Sequence, residues 1–508
     1  MTGAEVLLRT LLAHGVEVCF ANPGTSEMHF VAALDRVPAM RGVLCLFEGV
    51  CSGAADGYAR MTGRPAATLL HLGPGLANGL ANFHNARKAR TPIVSLIGEH
   101  STRHLAYDAP LTADIAAFAA TVSPEVHRLE SPAAIGPTTA RVIAAARRYP
   151  GRIAHLIIPA DFSWSEGGPI GEPAPPAPPP APLPVSAVPP QGGAGNWGLL
   201  LGGQAAGERG LALASRLAAA GWRVLIDRNA ARVAMGRGGF QPERIAYFPG
   251  PAQEQLAGLT DLVLVEAKAP VSFFGYPDEA SYLTPPECRV HELATPEQDG
   301  LAALAALTAN LPADPGWEDP PALLPPPLGP LTVAALGQAI AALLPPDAIV
   351  SDEMVSSGPP VLAALRHAPR FDYLPVTGGS IGQGLPVAVG AAIACPGRKV
   401  VVLEGDGSAL YTPQAWWTMA REKLDIVTVI FANRRYQILD VEMRRTGANG
   451  FGERARAMVD IGTPPLDFVR IAEGLGVPAV RVETVEAFLE HFARCLREPG
   501  PSVIEAIL

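Results

Sequence analysis

Asp406 and Asn433 stand twenty-seven positions apart at the ends of two short apolar runs. Val400–Leu403 reads as a strand buried on both faces, and it stops at Glu404-Gly405-Asp406-Gly407-Ser408, where two glycines permit a tight turn and close approach by a ligand. Pro413 fits the first turn of a helix to about Lys423, and Ile426–Phe431 reads as a second strand before Ala432-Asn433. Two parallel strands joined by a helix put their C-terminal ends side by side, which brings Asp406 and Asn433 to one edge. A carboxylate, an amide oxygen and a nearby main-chain carbonyl suit Mg2+ or Ca2+. Free amides at Gly407, Ser408 and the turn after Asn433 would face a phosphate, so the chemistry implied is a metal-bridged diphosphate. The bland alternative for GDG alone is an ordinary turn.

A second group lies near the start of the chain. The strand Val43–Phe47 ends on Glu48, and a helix of small residues, Gly49 to Arg60, follows. A carboxylate placed there among apolar residues should have its ionised form disfavoured, although a first-turn acid balancing a helix N-terminus reads the same way. Ala67–Leu72 is a further strand, and Gly73-Pro74-Gly75-Leu76-Ala77-Asn78-Gly79 opens a helix ending near Ala89. His71, just before that turn, is either a proton-transfer group or a hydrogen-bonded core histidine. His84, His100 and His104 have no comparable placement.

The elements that must hold these groups follow from length and patterning. A chain of 508 residues, 48% hydrophobic and 17% charged, predicts two to four globular domains. A net charge of -9 argues against a nucleic-acid partner, which needs a concentrated basic face. Six cysteines without a CxxC pair indicate neither a zinc site nor a disulfide framework. No apolar run reaches membrane-spanning length and the first residues lack the basic start of a signal peptide, so the expectation is a cytoplasmic protein without a membrane partner. Proline-rich stretches at 169–190 and 311–330 divide the chain into 1–168, 190–311 and 331–508. The first and last segments share alternating strands and helices, the pattern of doubly wound α/β domains. Thr2 is placed to cap a helix through Ala13, and Val16–Ala21 reads as a strand before Asn22-Pro23-Gly24-Thr25-Ser26-Glu27. In the middle segment Trp197–Leu201 and the turn Gly202–Gly207 suggest a nucleotide site, but the turn is not GxGxxG and no acidic residue obviously follows for a ribose.

GDG with a terminal Asn about thirty residues on resembles the cofactor motif of thiamine-diphosphate enzymes, with Ala432 replacing the first Asn of the usual pair. E…GAADGYAR from Glu48, followed by GPGxxN, resembles their pyrimidine-binding domain. The order of motifs is most similar to the benzoylformate decarboxylase branch and more loosely to the acetolactate synthases. The resemblance implies three doubly wound parallel-sheet domains: pyrimidine-binding, central Rossmann-like and diphosphate-binding. It implies that Glu48 hydrogen-bonds N1′ of the aminopyrimidine, with Gly73, Gly75 and Asn78 beside it, and that His71 moves protons. Asp406, Asn433 and the carbonyl of Arg435 would hold Mg2+, and Gly405, Gly407, Ser408, Tyr436 and Gln437 would line the diphosphate and thiazolium. Gly379 would offer its carbonyl to the 4′-amine and Ile381 would bend the cofactor. Ser356 is either a diphosphate contact or a helix cap. On the substrate side the resemblance places Thr25 near a carboxylate, with Ile438 and Glu442, the latter equally readable as an exposed acid.

The branch also takes a second catalytic His from the central domain. The matching loop here, Val271-Ser272-Phe273-Phe274-Gly275-Tyr276, has none, and Phe274 suggests a more apolar wall. Some relatives bind FAD or ADP in the central domain, which leaves FAD open but not favoured. The implied activity is decarboxylation or carboligation of a small 2-oxoacid through a C2 ylide and enamine, with an aldehyde or second 2-oxoacid as acceptor. The alternatives are an acetolactate-synthase-type transferase, a non-catalytic relative and a nucleotide-binding oxidoreductase. A homodimer or homotetramer with active sites between subunits is expected.

Overall fold

The first helix, Gly3–Ala13, begins where its sequence predicts. The Thr2 hydroxyl accepts the Glu5 amide while the Glu5 carboxylate takes the Thr2 amide, a reciprocal cap. From there the computed structural model describes residues 1–173, 175, 177–184, 196–313, 319–321, 325, 326, 328–448 and 452–508. Residues 174, 176 and 185–190 of the first proline-rich stretch and 314–318, 322–324 and 327 of the second lie outside the described residues, and what is described of 169–184 forms no helix or strand.

The first sheet holds β1 (Val18–Asn22), β2 (Arg41–Leu44), β3 (Ala66–Leu70), β4 (Ile93–Glu99), β5 (Val126–Arg128) and β6 (Ile153–Pro159) in the order β2-β1-β3-β4-β6-β5. All its pairings are parallel. Helices cover both faces, which is why β3, β4 and β6 are buried along their whole length and read as continuous apolar runs.

The middle segment supplies β7 (Trp197–Leu201), β8 (Arg223–Ile226), β9 (Val233–Met235), β10 (Glu243–Arg244), β11 (Asp261–Val265) and β12 (Arg289–Ala294). Five of them form a parallel sheet in the order β10-β8-β7-β11-β12. β9 departs from the expected division: it leaves this segment and pairs antiparallel with β14 at the edge of the third sheet. That sheet contains β13 (Ala348–Glu353), β14 (Phe371–Pro375), β15 (Val400–Gly405), β16 (Ile426–Ala432), β17 (Ala479–Val482) and β18 (Ser502–Ile507), in the order β17-β18-β16-β15-β13-β14-β9. The architecture is α/β with three parallel-dominated sheets.

The first and third sheets are joined through the helices Glu48–Thr62 and Gly384–Ala394. The small residues of the former are explained by this contact: a Cβ on Gly57 would stand 2.1 Å from the Val387 carbonyl oxygen. A buried ion pair fixes the same interface. Arg60 grips Asp56 at 3.0 and 2.6 Å and reaches the Pro375 carbonyl at 2.8 Å and the Thr377 hydroxyl at 3.1 Å. Among the described residues no helix is long and apolar enough to cross a membrane, and the six cysteines are free.

Candidate active site

Glu48 is the first residue of the helix Glu48–Thr62 and is buried. The helix Leu72–Ala89 lies across it, and Asn78 Nδ2 donates to Glu48 Oε2 at 3.0 Å. A Cβ on Gly75 would come within 3.2 Å of Oε1, so a larger residue there would crowd this oxygen. Gly73 packs more closely still on Ala113, whose Cβ would lie 2.5 Å from an added Cβ. Glu48, Gly75 and Asn78 are thus brought together at the C-terminal edge of the first sheet, where ligands of open α/β sheets bind. The first-turn placement and the contact with Asn78 coexist.

His71 is the cap of the helix Leu72–Ala89 and is half-buried. Its Nδ1 is 2.7 Å from Oε2 of Glu27, a buried carboxylate that also accepts the Gly24 amide at 2.7 Å. The imidazole lies flat against Gly24, where a Cβ would stand 2.4 Å from the ring. Glu27 stabilises the imidazolium and raises the His71 pKa, against an opposing pull from burial. Glu27 is a residue that sequence reasoning passed over, because N-P-G-T-S-E reads as a turn with a helix cap. Thr25 opens the same short turn and is exposed.

The second cluster gathers at the edge of the third sheet. β15 and β16 are parallel neighbours, and Asp406 directly follows β15. Its carboxylate accepts the Arg434 amide at 2.5 Å and the Gly407 amide at 2.9 Å. The amides expected to be free for phosphate at Gly407 and after Asn433 are therefore turned to Asp406. Burial pushes the Asp406 pKa up to about 6. Asn433 Oδ1 accepts the Arg435 amide at 3.1 Å, its Nδ2 donates to Gln437 at 3.2 Å, and the Arg435 carbonyl accepts the Gln437 amide at 2.9 Å. The Tyr436 ring covers Gly407, which leaves no room for a Cβ there, and the Ser408 hydroxyl donates to the Glu353 and Gly405 carbonyls. Asp406, the Asn433 amide oxygen and the Arg435 carbonyl form an all-oxygen set, the donor chemistry that Mg2+ takes. Ser356 lies half-buried in the turn after β13.

A loop over residues 377–383 bridges the two clusters, and the helix that follows it begins at Gly384. It docks on the helix Leu72–Ala89. Asn82 Nδ2 donates to the carbonyls of Gly49 at 2.8 Å and Gly382 at 3.0 Å, while Asn85 exchanges bonds with Ser380. Glu353 holds the loop from below, accepting the Gly382 amide at 2.6 Å and the Gly384 amide at 2.5 Å. Burial pushes Glu353 up to about 7, and burial together with the Glu353 charge raises its neighbour Glu404 well above the usual carboxylate range. Gly379 (φ 78°) and half-buried Ile381 sit on this loop, and Phe273 lies where a Cβ on Gly379 would be 2.4 Å away. Phe273 packs between Tyr247, tilted at 35°, and Phe274, edge-on at 68°, at ring separations of 4.9 and 5.0 Å. Phe274 itself is half exposed. Glu442, one turn along the helix Gln437–Arg445 from half-buried Ile438, accepts the Tyr276 hydroxyl at 3.1 Å. It is therefore tied to the central segment and is not a free surface acid.

Leu72, Val355 and Arg434 adopt left-handed backbone at φ 52°, 52° and 58°, each just beyond the C-terminal end of a strand of these two sheets. Such conformations cost about 1–3 kcal/mol and gather at functional sites. For a β-branched Val this is a genuine outlier.

Residues 1–119 match the family described as thiamine pyrophosphate enzyme, N-terminal TPP binding domain, and residues 361–506 match its C-terminal TPP binding domain. The chain belongs to the thiamine pyrophosphate enzyme family. It is 49% identical over 519 residues to a Mycobacterium tuberculosis protein named "Putative acetolactate synthase large subunit IlvX", covering 100% of this chain and 99% of that one. It is 30% identical to the benzoylformate decarboxylase of Pseudomonas aeruginosa, covering 99% and 97% of the two chains. The fold matches a 4-hydroxybenzoylformate decarboxylase of Rhodococcus jostii with a TM-score of 0.83 at 24% identity, covering 100% and 99% of the chains. It matches the benzoylformate decarboxylase of Polynucleobacter necessarius with a TM-score of 0.84 at 21% identity, covering 100% and 98%.

Proposed function

We propose that this thiamine-diphosphate enzyme is a Mg2+-dependent 2-oxoacid decarboxylase with carboligase activity, acting on small molecules in the cytoplasm. The observation that carries this reading is the His71–Glu27 pair beside Glu48: a histidine held ready to give or take a proton at the place where acetolactate synthases usually carry Ser or Thr. Thiamine diphosphate, when bound, supplies the electron sink for the pair released as CO2 departs. Glu48 would hold a proton at the aminopyrimidine, its carboxylate fixed by Asn78 through Oε2. Asp406, Asn433 and the Arg435 carbonyl would hold Mg2+ against the diphosphate and neutralise its charge. Glu353 positions the loop carrying Gly379 and Ile381. His71 protonates or deprotonates the substrate-derived group, while Phe273 and Phe274 exclude water on the far side.

The active assembly is a homodimer or homotetramer in which each copy completes the other's site. Exposed Met28 and Leu46 near the Glu48 cluster, and Val355, Leu410, Tyr411 and Leu439 around the Asp406 cluster, support two apolar faces that a second copy covers. The name of the M. tuberculosis relative favours a second reading, a transferase that joins two 2-oxoacid units. Product analysis separates the two. Protein with thiamine diphosphate, Mg2+ and either pyruvate or benzoylformate should release the aldehyde and CO2; acetolactate from pyruvate, without free acetaldehyde, would establish the transferase instead.

A further inference from the structure

The Gly202–Gly207 turn has a reason for its glycines other than a nucleotide. In a doubly wound sheet the first turn after the central strand cradles a cofactor's phosphates, because its amides and the following helix N-terminus point at them. Here that turn follows β7, the middle strand of its sheet. The ligand on its amides is a side chain of the protein. Glu266, at the end of neighbouring β11, accepts the Ala205 amide on Oε2 at 3.1 Å. Its Oε1 accepts the Gly300 amide, at the start of the helix Gly300–Leu307, at 2.9 Å. The same oxygen accepts the Tyr149 hydroxyl at 2.5 Å.

Three glycines are shaped around Glu266, two of them against its carboxylate. A Cβ on Gly203 would stand 2.2 Å from Glu266 Oε2, one on Gly300 2.6 Å from Oε1, and one on Gly202 2.2 Å from the Glu266 carbonyl oxygen. Glu266 is buried and held at φ 53°, a conformation that a glutamate adopts only when its surroundings impose it. Burial raises its pKa, while the phenol and the amides pull it back down. Every group facing the two oxygens is a donor, so the carboxylate is the form that fits.

We propose that Glu266 takes the place of a cofactor phosphate in the central domain, so that this domain binds neither FAD nor ADP at its strand ends and serves to lock the first domain through Tyr149. A pyrophosphate seated on this turn would have to displace a buried acid that already accepts the Ala205 amide. Repulsion between the two anions would add to that cost.

Three measurements on the full-length protein loaded with thiamine diphosphate and Mg2+ test this. Purified wild type should be colourless in the flavin region, and about 1 mM FAD or ADP should leave its melting temperature unchanged, whereas any nucleotide held with Kd below about 0.1 mM would raise it by mass action. Glu266→Ala should melt several degrees lower than wild type and regain part of that loss in inorganic phosphate or pyrophosphate, while the wild type does not respond. Tyr149→Phe should lower the melting temperature without creating any response to phosphate. Saturable FAD or ADP binding by the wild type overturns the proposal, as does an equal phosphate shift in wild type and Glu266→Ala. Should Glu266→Ala not fold, the wild-type titration still decides.

Discussion

Nδ1 of His71 and Oε2 of Glu27 are 2.7 Å apart, and they come from turns after two adjacent strands, β3 and β1. The carboxylate favours the protonated ring, so His71 titrates above the ordinary histidine value of about 6.5. The sign follows. The stability this pair contributes is fully present below the unfolded pKa and is lost as pH rises through the raised folded value. In Glu27→Gln the His71 titration midpoint should fall, read by NMR of the imidazole protons. The alkaline limb of the decarboxylation rate should move to lower pH with it. An unmoved midpoint would show that Glu27 does not set the charge on His71.

Glu48→Gln keeps the shape and the contact with Asn78 but removes the carboxylate. Turnover should fall by about 10²–10⁴-fold, the range of a lost acid–base group. Far-ultraviolet circular dichroism and the melting temperature should stay close to wild type. Activity within a few-fold of wild type would exclude Glu48 from the chemistry.

Asp406→Asn and Asn433→Ala each delete one oxygen from the proposed Mg2+ set. Calorimetric titration with thiamine diphosphate should show Mg2+-dependent affinity reduced by at least about 10–100-fold, the loss typical of even outer partners of a metal ligand. Affinity that is unchanged in both variants, or that never depended on Mg2+, places the diphosphate elsewhere.

Strands and turns were legible because their signals are local. Trp197–Leu201 matches its predicted bounds, and Thr2 caps the first helix as its hydroxyl and Glu5 require. The pairing of β15 with β16 followed from two apolar runs and one helix. What stayed hidden depends on contacts between distant segments. Glu27 looks like a turn residue until β1 and β3 bring it under His71. Glu404 sits in an apolar run and shows no sign that it meets Glu353. Val355 and Leu72 have side chains that disfavour left-handed backbone, so nothing local marks them. β9 was unreadable for the same reason: only its partner β14 shows that three residues of the middle segment belong to another sheet.

The Asp56–Arg60 pair gives the sharpest stability prediction. Both side chains are fully buried, and Thr91 donates to Asp56 Oδ1 at 2.8 Å, so the carboxylate's partners all lie inside the protein. Arg60→Met leaves Asp56 as an unpaired buried charge and removes the guanidinium's bond to the Pro375 carbonyl, and should cost about 3–5 kcal/mol in denaturant unfolding. Removing both charges in Arg60→Met with Asp56→Leu should recover much of that loss, because a pair replaced by apolar groups no longer carries the desolvation of two ions. The single variant should also loosen the contact between the helices Glu48–Thr62 and Gly384–Ala394, read as faster amide exchange along residues 49–60. A double variant no more stable than the single one would mean that the guanidinium's bonds to Pro375 and Thr377, rather than the ion pair, hold the two sheets together.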